Sequence, residues 1–203
     1  AVAVSFGIAL ADNQIDNVTL AQIDDSGFDS EGTITVEAAS IGRIDSLAIG
    51  AALAISGGIG AVSVTGAAGV TNNSVTNDTQ ALVLSSAPGV ASPAEGLRAG
   101  GDITVTASDV TGIKAENVAA SVAISIAGGG ASVAIAASPA TNTIDNRVRA
   151  NVDASSLTST GGSVDLSATS DNRVEALSVA AALAISAGLY TGAAAGAGAT
   201  ATN

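Results

Sequence analysis

The feature that most constrains this chain is a repeat with a period of about 60 residues. An Asn-x-(Ile/Val)-x-Asn pattern begins at Asn13, Asn73 and Asn142, with spacings of 60 and 69 residues, and Asn203 follows another 61 residues on. A second pattern, Gly-x-(Ile/Val)-x-(Val/Leu), begins at Gly32, Gly101 and Gly162. A sequence that repeats at this spacing predicts a stack of equivalent units that share one continuous core.

The repeats divide the chain without a second domain. They run over residues 1–60, 61–130 and 131–192, and residues 193–203 begin a fourth unit, so that 1–203 is one segment. The middle repeat is longer than its neighbours because it carries an insertion at residues 85–100, which contains Pro88 and Pro93. Prolines and glycines in this insertion are typical of a surface loop.

Within each repeat, large and small residues alternate with a period of two. Leu47, Ile49 and Leu53 are separated by Ala or Gly, and the chain combines 47% hydrophobic residues with only 1% aromatic ones. This period is typical of β-strands, since a helix would scatter such positions around its circumference. We expect the larger side chains to form core columns and the small ones an outer face. The predicted columns in this part are Leu53, Val122 and Leu183, and Ile55, Ile124 and Ile185.

Equivalent positions keep their chemistry from one repeat to the next, which predicts how the strands stack. In a parallel, in-register stack each residue lies about 4.8 Å above its counterpart, so Ile15, Val75 and Ile144 would form a further core column. Stacked Asn amides can hydrogen-bond along such a column. The predicted Asn ladders are Asn13, Asn73, Asn142 and Asn203, and Asn17, Asn77 and Asn146.

The sequence therefore predicts an all-β protein with a parallel, in-register β-solenoid (β-helix) of about three repeats. Glycine-rich corners such as Gly57-Gly58 and Gly161-Gly162 separate two long arms in each repeat. This arrangement is compatible with one elongated coil per repeat, and three smaller rungs of about 20 residues remain an alternative.

Composition and charge exclude several functions. The chain has no Cys and no His, so it cannot carry a His-containing catalytic triad or a thiolate metal cluster. Its net charge of −12 opposes binding to nucleic acid. We expect no enzymatic activity and no cofactor, although acidic residues such as Asp24, Asp25 and Asp29 could hold Ca²⁺ weakly. Flat rows of Thr that would bind ice are broken by other residues at equivalent positions.

Three uncharged stretches, at residues 47–70, 118–140 and 176–200, are long enough to cross a bilayer as helices. Their strict alternation, their paired glycines and their lack of flanking Lys or Arg favour strands instead. We expect no membrane span.

With segments such as Gly101-Asp102-Ile103-Thr104-Val105-Thr106-Ala107 and Thr141-Asn142-Thr143-Ile144-Asp145-Asn146, the chain resembles the Ala/Gly/Val-rich repeats of giant bacterial filamentous adhesins of the leukotoxin and filamentous haemagglutinin type. The resemblance implies secretion to the bacterial cell surface, a β-solenoid, and roles in adhesion, aggregation or extracellular filaments. It carries over no functional residues.

Two functional hypotheses follow. The first is a structural segment of an extracellular filament or adhesin stalk, in which the coils continue along the same chain or copies associate end to end. The second is a module that binds carbohydrates or another cell-surface partner, with the insertion at 85–100 as its loop platform. A β-helical enzyme acting on polysaccharides is a less favoured alternative.

Overall fold

The computed structural model, which describes residues 1–84 and 96–203, shows three stacked coils and the first arm of a fourth. Each coil consists of a long strand, a strand of three residues and a second long strand. The strands are β1 (Val2–Asp24), β2 (Phe28–Ser30), β3 (Ile34–Gly57), β4 (Ala61–Leu84), β5 (Leu97–Ala99), β6 (Ile103–Ile126), β7 (Gly129–Asp153), β8 (Leu157–Ser159), β9 (Val164–Ala187) and β10 (Tyr190–Thr202).

Equivalent strands pair in parallel and form three sheets, with the orders β1-β4-β7-β10, β2-β5-β8 and β3-β6-β9. The register follows the sequence repeat, since Asn13 pairs with Asn73 and Asn73 with Asn142. This arrangement confirms the predicted parallel, in-register β-solenoid. Each repeat forms one flattened coil, so the alternative of three smaller rungs per repeat is wrong.

The wide end of each coil, around the short strands, holds an aliphatic core. Ile103 and Val105 of β6 are fully buried there against Leu97 of β5 and Val83 of β4. Three sheets meet at this end and leave room for branched side chains. The burial of Ile and Val therefore stabilises this end of the solenoid in the ordinary way.

The opposite end is a thin double layer of two sheets, which we call the tongue. It comprises residues 1–11, 47–71, 116–140 and 177–201. Here the predicted orientation is wrong, because Leu53 and Ile55 are 57% and 60% exposed while Ala52, Ala54 and Ser56 face inward. The same correction applies to the other members of the two predicted columns, which also point outward: Val122, Leu183, Ile124 and Ile185.

The two sheets of the tongue lie too close together for large inward side chains. A Cβ atom added to Gly50 would lie 2.1 Å from the backbone oxygen of Ala68, and one added to Gly7 would lie 1.9 Å from that of Ala51. Packed sheets are ordinarily about 10 Å apart, and a backbone that meets the Cβ position of the facing strand implies a much smaller separation. Gly, Ala, Ser and Thr therefore occupy the inward positions between these sheets, except for Asn117 at the border with the wide end.

Candidate functional surfaces

One asparagine ladder runs through every coil. The amide of Asn13 donates to Oδ1 of Asn73 at 2.9 Å, Asn73 donates to Asn142 at 2.8 Å, and Asn142 donates to Asn203 at 2.9 Å. The remaining N–H of Asn73 reaches Ser46 Oγ on the facing sheet at 2.9 Å. Asn73 is 0% exposed, so its donors are satisfied away from water.

The ladder has a direction. Every amide donates toward the C-terminal coil, so Oδ1 of Asn13 points toward one end of the stack and the Nδ2 group of Asn203 lies at the other. The two ends are therefore complementary: one offers an acceptor and the other a donor. A further coil added in register at either end would extend the same chain of hydrogen bonds.

The second predicted asparagine column is stacked but does not form an amide ladder. Asn77 donates to Asp109 Oδ2 at 2.8 Å and to Thr111 Oγ1 at 3.1 Å, and Asn146 also turns toward Asp109 and Thr111. Asn17, in the first coil, is exposed. Asp109 is the reason that Asn77 and Asn146 do not bond to each other through their side chains. It is a 1% exposed carboxylate, and its oxygens accept the hydrogen bonds of both amides.

Sequence reasoning missed Asp109, because it stands in register with Ser40 and Ser170 and has no acidic counterpart in the other coils.

The predicted core column of Ile15, Val75 and Ile144 does lie in the core. Val75 is fully buried, and Ile15 and Ile144 pack around it against aliphatic residues of the facing sheet.

The outer face of the sheet β3-β6-β9 carries a grid of alternating charge beside the tongue. Along the strands, Arg43 binds Asp45 at 2.7 Å and Lys114 binds Glu116 at 2.6 Å, and Arg173 likewise binds Glu175. Across the strands, Lys114 stands in register between Asp45 and Glu175. If each coil carried the same charge at this position, in-register stacking would place like charges about 4.8 Å apart, and they would repel one another. The alternation avoids this repulsion.

The grid shifts the pKa of three of its members, Arg43, Asp45 and Lys114, which face solvent. The hydrogen bond and positive charge of Arg43 lower the pKa of Asp45, and the hydrogen bond to Asp45 raises the pKa of Arg43. The hydrogen bond to Glu116 and its negative charge raise the pKa of Lys114. Each of these three shifts favours the ionised form of its group.

A shallow groove of about 570 Å³ lies over this grid. Its floor is Gly112, which stands in register between Arg43 and Arg173 and leaves open space between them, and Ile41 and Val110 form an apolar wall. The guanidinium groups keep N–H donors toward solvent, so the groove could bind a small polar ligand through charge-assisted hydrogen bonds.

Residues 85–95, most of the predicted loop platform, lie outside the described residues, whereas Leu97–Ala99 form β5 of the short sheet. Within residues 1–84 and 96–203, no group of three potential metal ligands is found. The same residues contain no helix with the length and hydropathy needed to cross a bilayer.

Comparison with known proteins gives no relative. The chain matches no protein-family model, no curated protein and no solved structure.

Proposed function

We propose that this chain is a structural segment of an extracellular bacterial filament or adhesin stalk. Its mechanism is mechanical: backbone hydrogen bonds and the asparagine ladder hold the coils together along the axis, and small-residue packing holds the two sheets together across it. The observation that carries the proposal is the directional ladder through Asn13, Asn73, Asn142 and Asn203, with a complementary acceptor and donor at its two ends.

The strand edges support the same interpretation. β1 and β3 lie at one end of their sheets, and β9 and β10 lie at the other. Such edges present backbone N–H and C=O groups that another strand can pair with. These edge strands have 23 residues in β1, 24 in β3 and β9, and 13 in β10, so another coil in the same register would satisfy a long row of these groups at once.

Electron microscopy of the purified chain tests the proposal. We expect filaments whose power spectrum has a layer line near 4.8 Å along the axis, the spacing of hydrogen-bonded strands. Discrete particles without axial order at any concentration would contradict it.

A matched pair of variants makes the test specific to the ladder. Asn203→Asp keeps an oxygen for the bond from Asn142 but removes the outward amide donor, so it should slow filament growth. Thr202→Asp adds the same charge one residue away on the outer face of β10 and should leave growth much less affected. Equal growth of both variants would show that the ladder does not direct assembly.

A second candidate function is carbohydrate binding, which the groove over Gly112 favours. We expect any such ligand to be a neutral saccharide, because Asp45, Asp171 and Glu175 balance the three cations of the groove and the net charge of −12 opposes a polyanion. Titration calorimetry with a neutral cello-oligosaccharide as the probe would detect it, and the double variant Arg43→Gln, Arg173→Gln should abolish the heat of binding. Absence of binding by the unmodified chain would remove this candidate.

A further inference from the structure

The outer face of the tongue on the sheet β3-β6-β9 is apolar in every coil, apart from Glu116 at its border with the charged grid. We call it the aliphatic face and define it by residues 47–55 of β3, 116–124 of β6 and 177–185 of β9. Leu53, Leu183 and Ile185 on this face are about half exposed or more. Because the inside of the tongue is built from small residues, the largest aliphatic groups of this end are the ones in contact with water.

This face repeats its aliphatic columns from coil to coil more regularly than the opposite outer face of the tongue, where Val4, Val64 and Val133 form one such column. The column Ile55, Ile124 and Ile185 and the column Leu53, Val122 and Leu183 keep aliphatic groups through all three coils. On the opposite face, by contrast, the column of Phe6 continues through Gly66, Ile135 and Gly196. A flat apolar surface that continues along the axis is a feature of interaction sites.

The aliphatic face is also complementary to itself. A central valley consists of Ala51, Ala120 and Ala181, and it lies between two ridges of larger side chains. A two-fold axis parallel to the solenoid axis would place the Leu53 ridge of each copy in the alanine valley of the other. Such a contact is isologous, since the same patch is used by both copies.

We propose that the aliphatic face binds a second copy of this chain, so that two solenoids pack side by side, sheet against sheet. A lipid surface fits less well, because the net charge of −12 opposes approach to an anionic membrane surface. The inference does not depend on axial stacking, since each solenoid presents this face whether or not coils are added at its ends.

The area of the face sets the expected strength of the dimer. Nine residues along each strand and three strands across give a projected area of roughly 400 Å² per copy from standard strand dimensions. The two copies together bury about 800 Å², which is less than stable specific interfaces bury and is typical of a weak, transient contact. We therefore expect reversible dimers at protein concentrations of about 100 μM or above. Every added coil enlarges the face, so the free energy of pairing should grow with the number of coils.

Sedimentation equilibrium tests the pairing with two matched triple variants. Leu53→Thr, Val122→Thr and Leu183→Thr retain strand propensity while removing the ridge, and should shift the dimer dissociation constant upward at least tenfold. Val4→Thr, Val64→Thr and Val133→Thr form the matching column on the opposite outer face and should leave the constant unchanged. Circular dichroism establishes that each variant keeps its strands.

Crosslinking locates the contact, because the chain has no cysteine of its own. Ala120→Cys in the valley should be joined to a second copy by a short bis-maleimide, whereas Ala68→Cys, an outward alanine of β4 on the opposite face, should not. A wild-type chain that stays monomeric at millimolar concentration, equal crosslinking of the two variants, or flotation of a monomeric chain with phosphatidylcholine vesicles would overturn the proposal. Axial filaments without lateral crosslinks would refute this pairing and leave the filament proposal standing.

Discussion

In the tongue the larger side chains point outward and the small ones point inward, which predicts different effects of mutation at two neighbouring residues. Leu53 points outward and is 57% exposed, whereas Ala54 points inward and is 4% exposed. Full burial of a leucine side chain contributes about 1.5–3 kcal/mol, and less than half of Leu53 is covered. We therefore expect Leu53→Ala to lower the free energy of unfolding by about 1 kcal/mol, although Leu→Ala in a packed core costs about 2–5 kcal/mol.

Ala54→Leu should be the more damaging change. The inward glycines show that the two backbones nearly touch in this region, so added methylene groups cannot be accommodated without separating the sheets. Overpacking ordinarily costs about 1–3 kcal/mol, and we expect the upper end of that range. Ala54→Ser is the control, because Ser56 occupies the next inward position and hydrogen-bonds to Ser63 at 2.7 Å.

Urea unfolding followed by far-ultraviolet circular dichroism measures these effects, at concentrations below those expected for lateral pairing. With a slope of about 2 kcal/mol per molar urea, the midpoint should fall by about 0.5 M for Leu53→Ala and by about 1.5 M for Ala54→Leu. A larger loss for Leu53→Ala than for Ala54→Leu would refute the inverted orientation.

Three further changes test other parts of the solenoid by the same unfolding assay. Asn73→Ala should cost about 3 kcal/mol, because it interrupts the ladder and leaves the buried amide oxygen of Asn142 without its donor. Ala154 has a φ of 47°, a left-handed conformation that is unfavourable for a residue with a Cβ atom and accessible to glycine. Ala154→Gly should therefore stabilise the chain by about 1 kcal/mol. Hydrogen bonds from the backbone and hydroxyl of Ser163 lower the pKa of Asp102, so its stabilisation is present above the unfolded pKa of about 4 and is lost as the pH falls through the folded pKa. The unfolding midpoints of the wild type and Asp102→Asn should therefore differ at pH 7, and the difference should shrink as the pH falls below about 4.

The stacking of the coils could be predicted from the sequence, because in an in-register solenoid the residues that pair between coils are separated by one repeat length. Asn13, Asn73 and Asn142 recur at the positions that the strands bring into register. The charged grid was also present as a pattern, since Asp45, Lys114 and Glu175 alternate in sign once the strands are aligned. Similarity between repeats does not reveal the grid, because its columns hold residues of opposite charge and not of the same type.

The orientation of the tongue also left a signal in the sequence. β3 is continuous from Ile34 to Gly57 and keeps one phase throughout, so the inward positions of Ile34 and Ile44 require Leu53 to point outward. Hydrophobicity within the tongue alone indicated the opposite, because it assigns the larger side chains to the core. Phase continuity over a long strand was the better guide.

The sequence by itself determined the strand period, the repeat and the register, because these depend on the spacing of residues along one chain. The tertiary structure decided which face of the tongue is buried and how Asp109 redirects Asn77 and Asn146. Both outcomes depend on the distance and chemistry of the facing sheet. In the tongue, a separation too small for a leucine overrides the usual preference for burying the larger side chain.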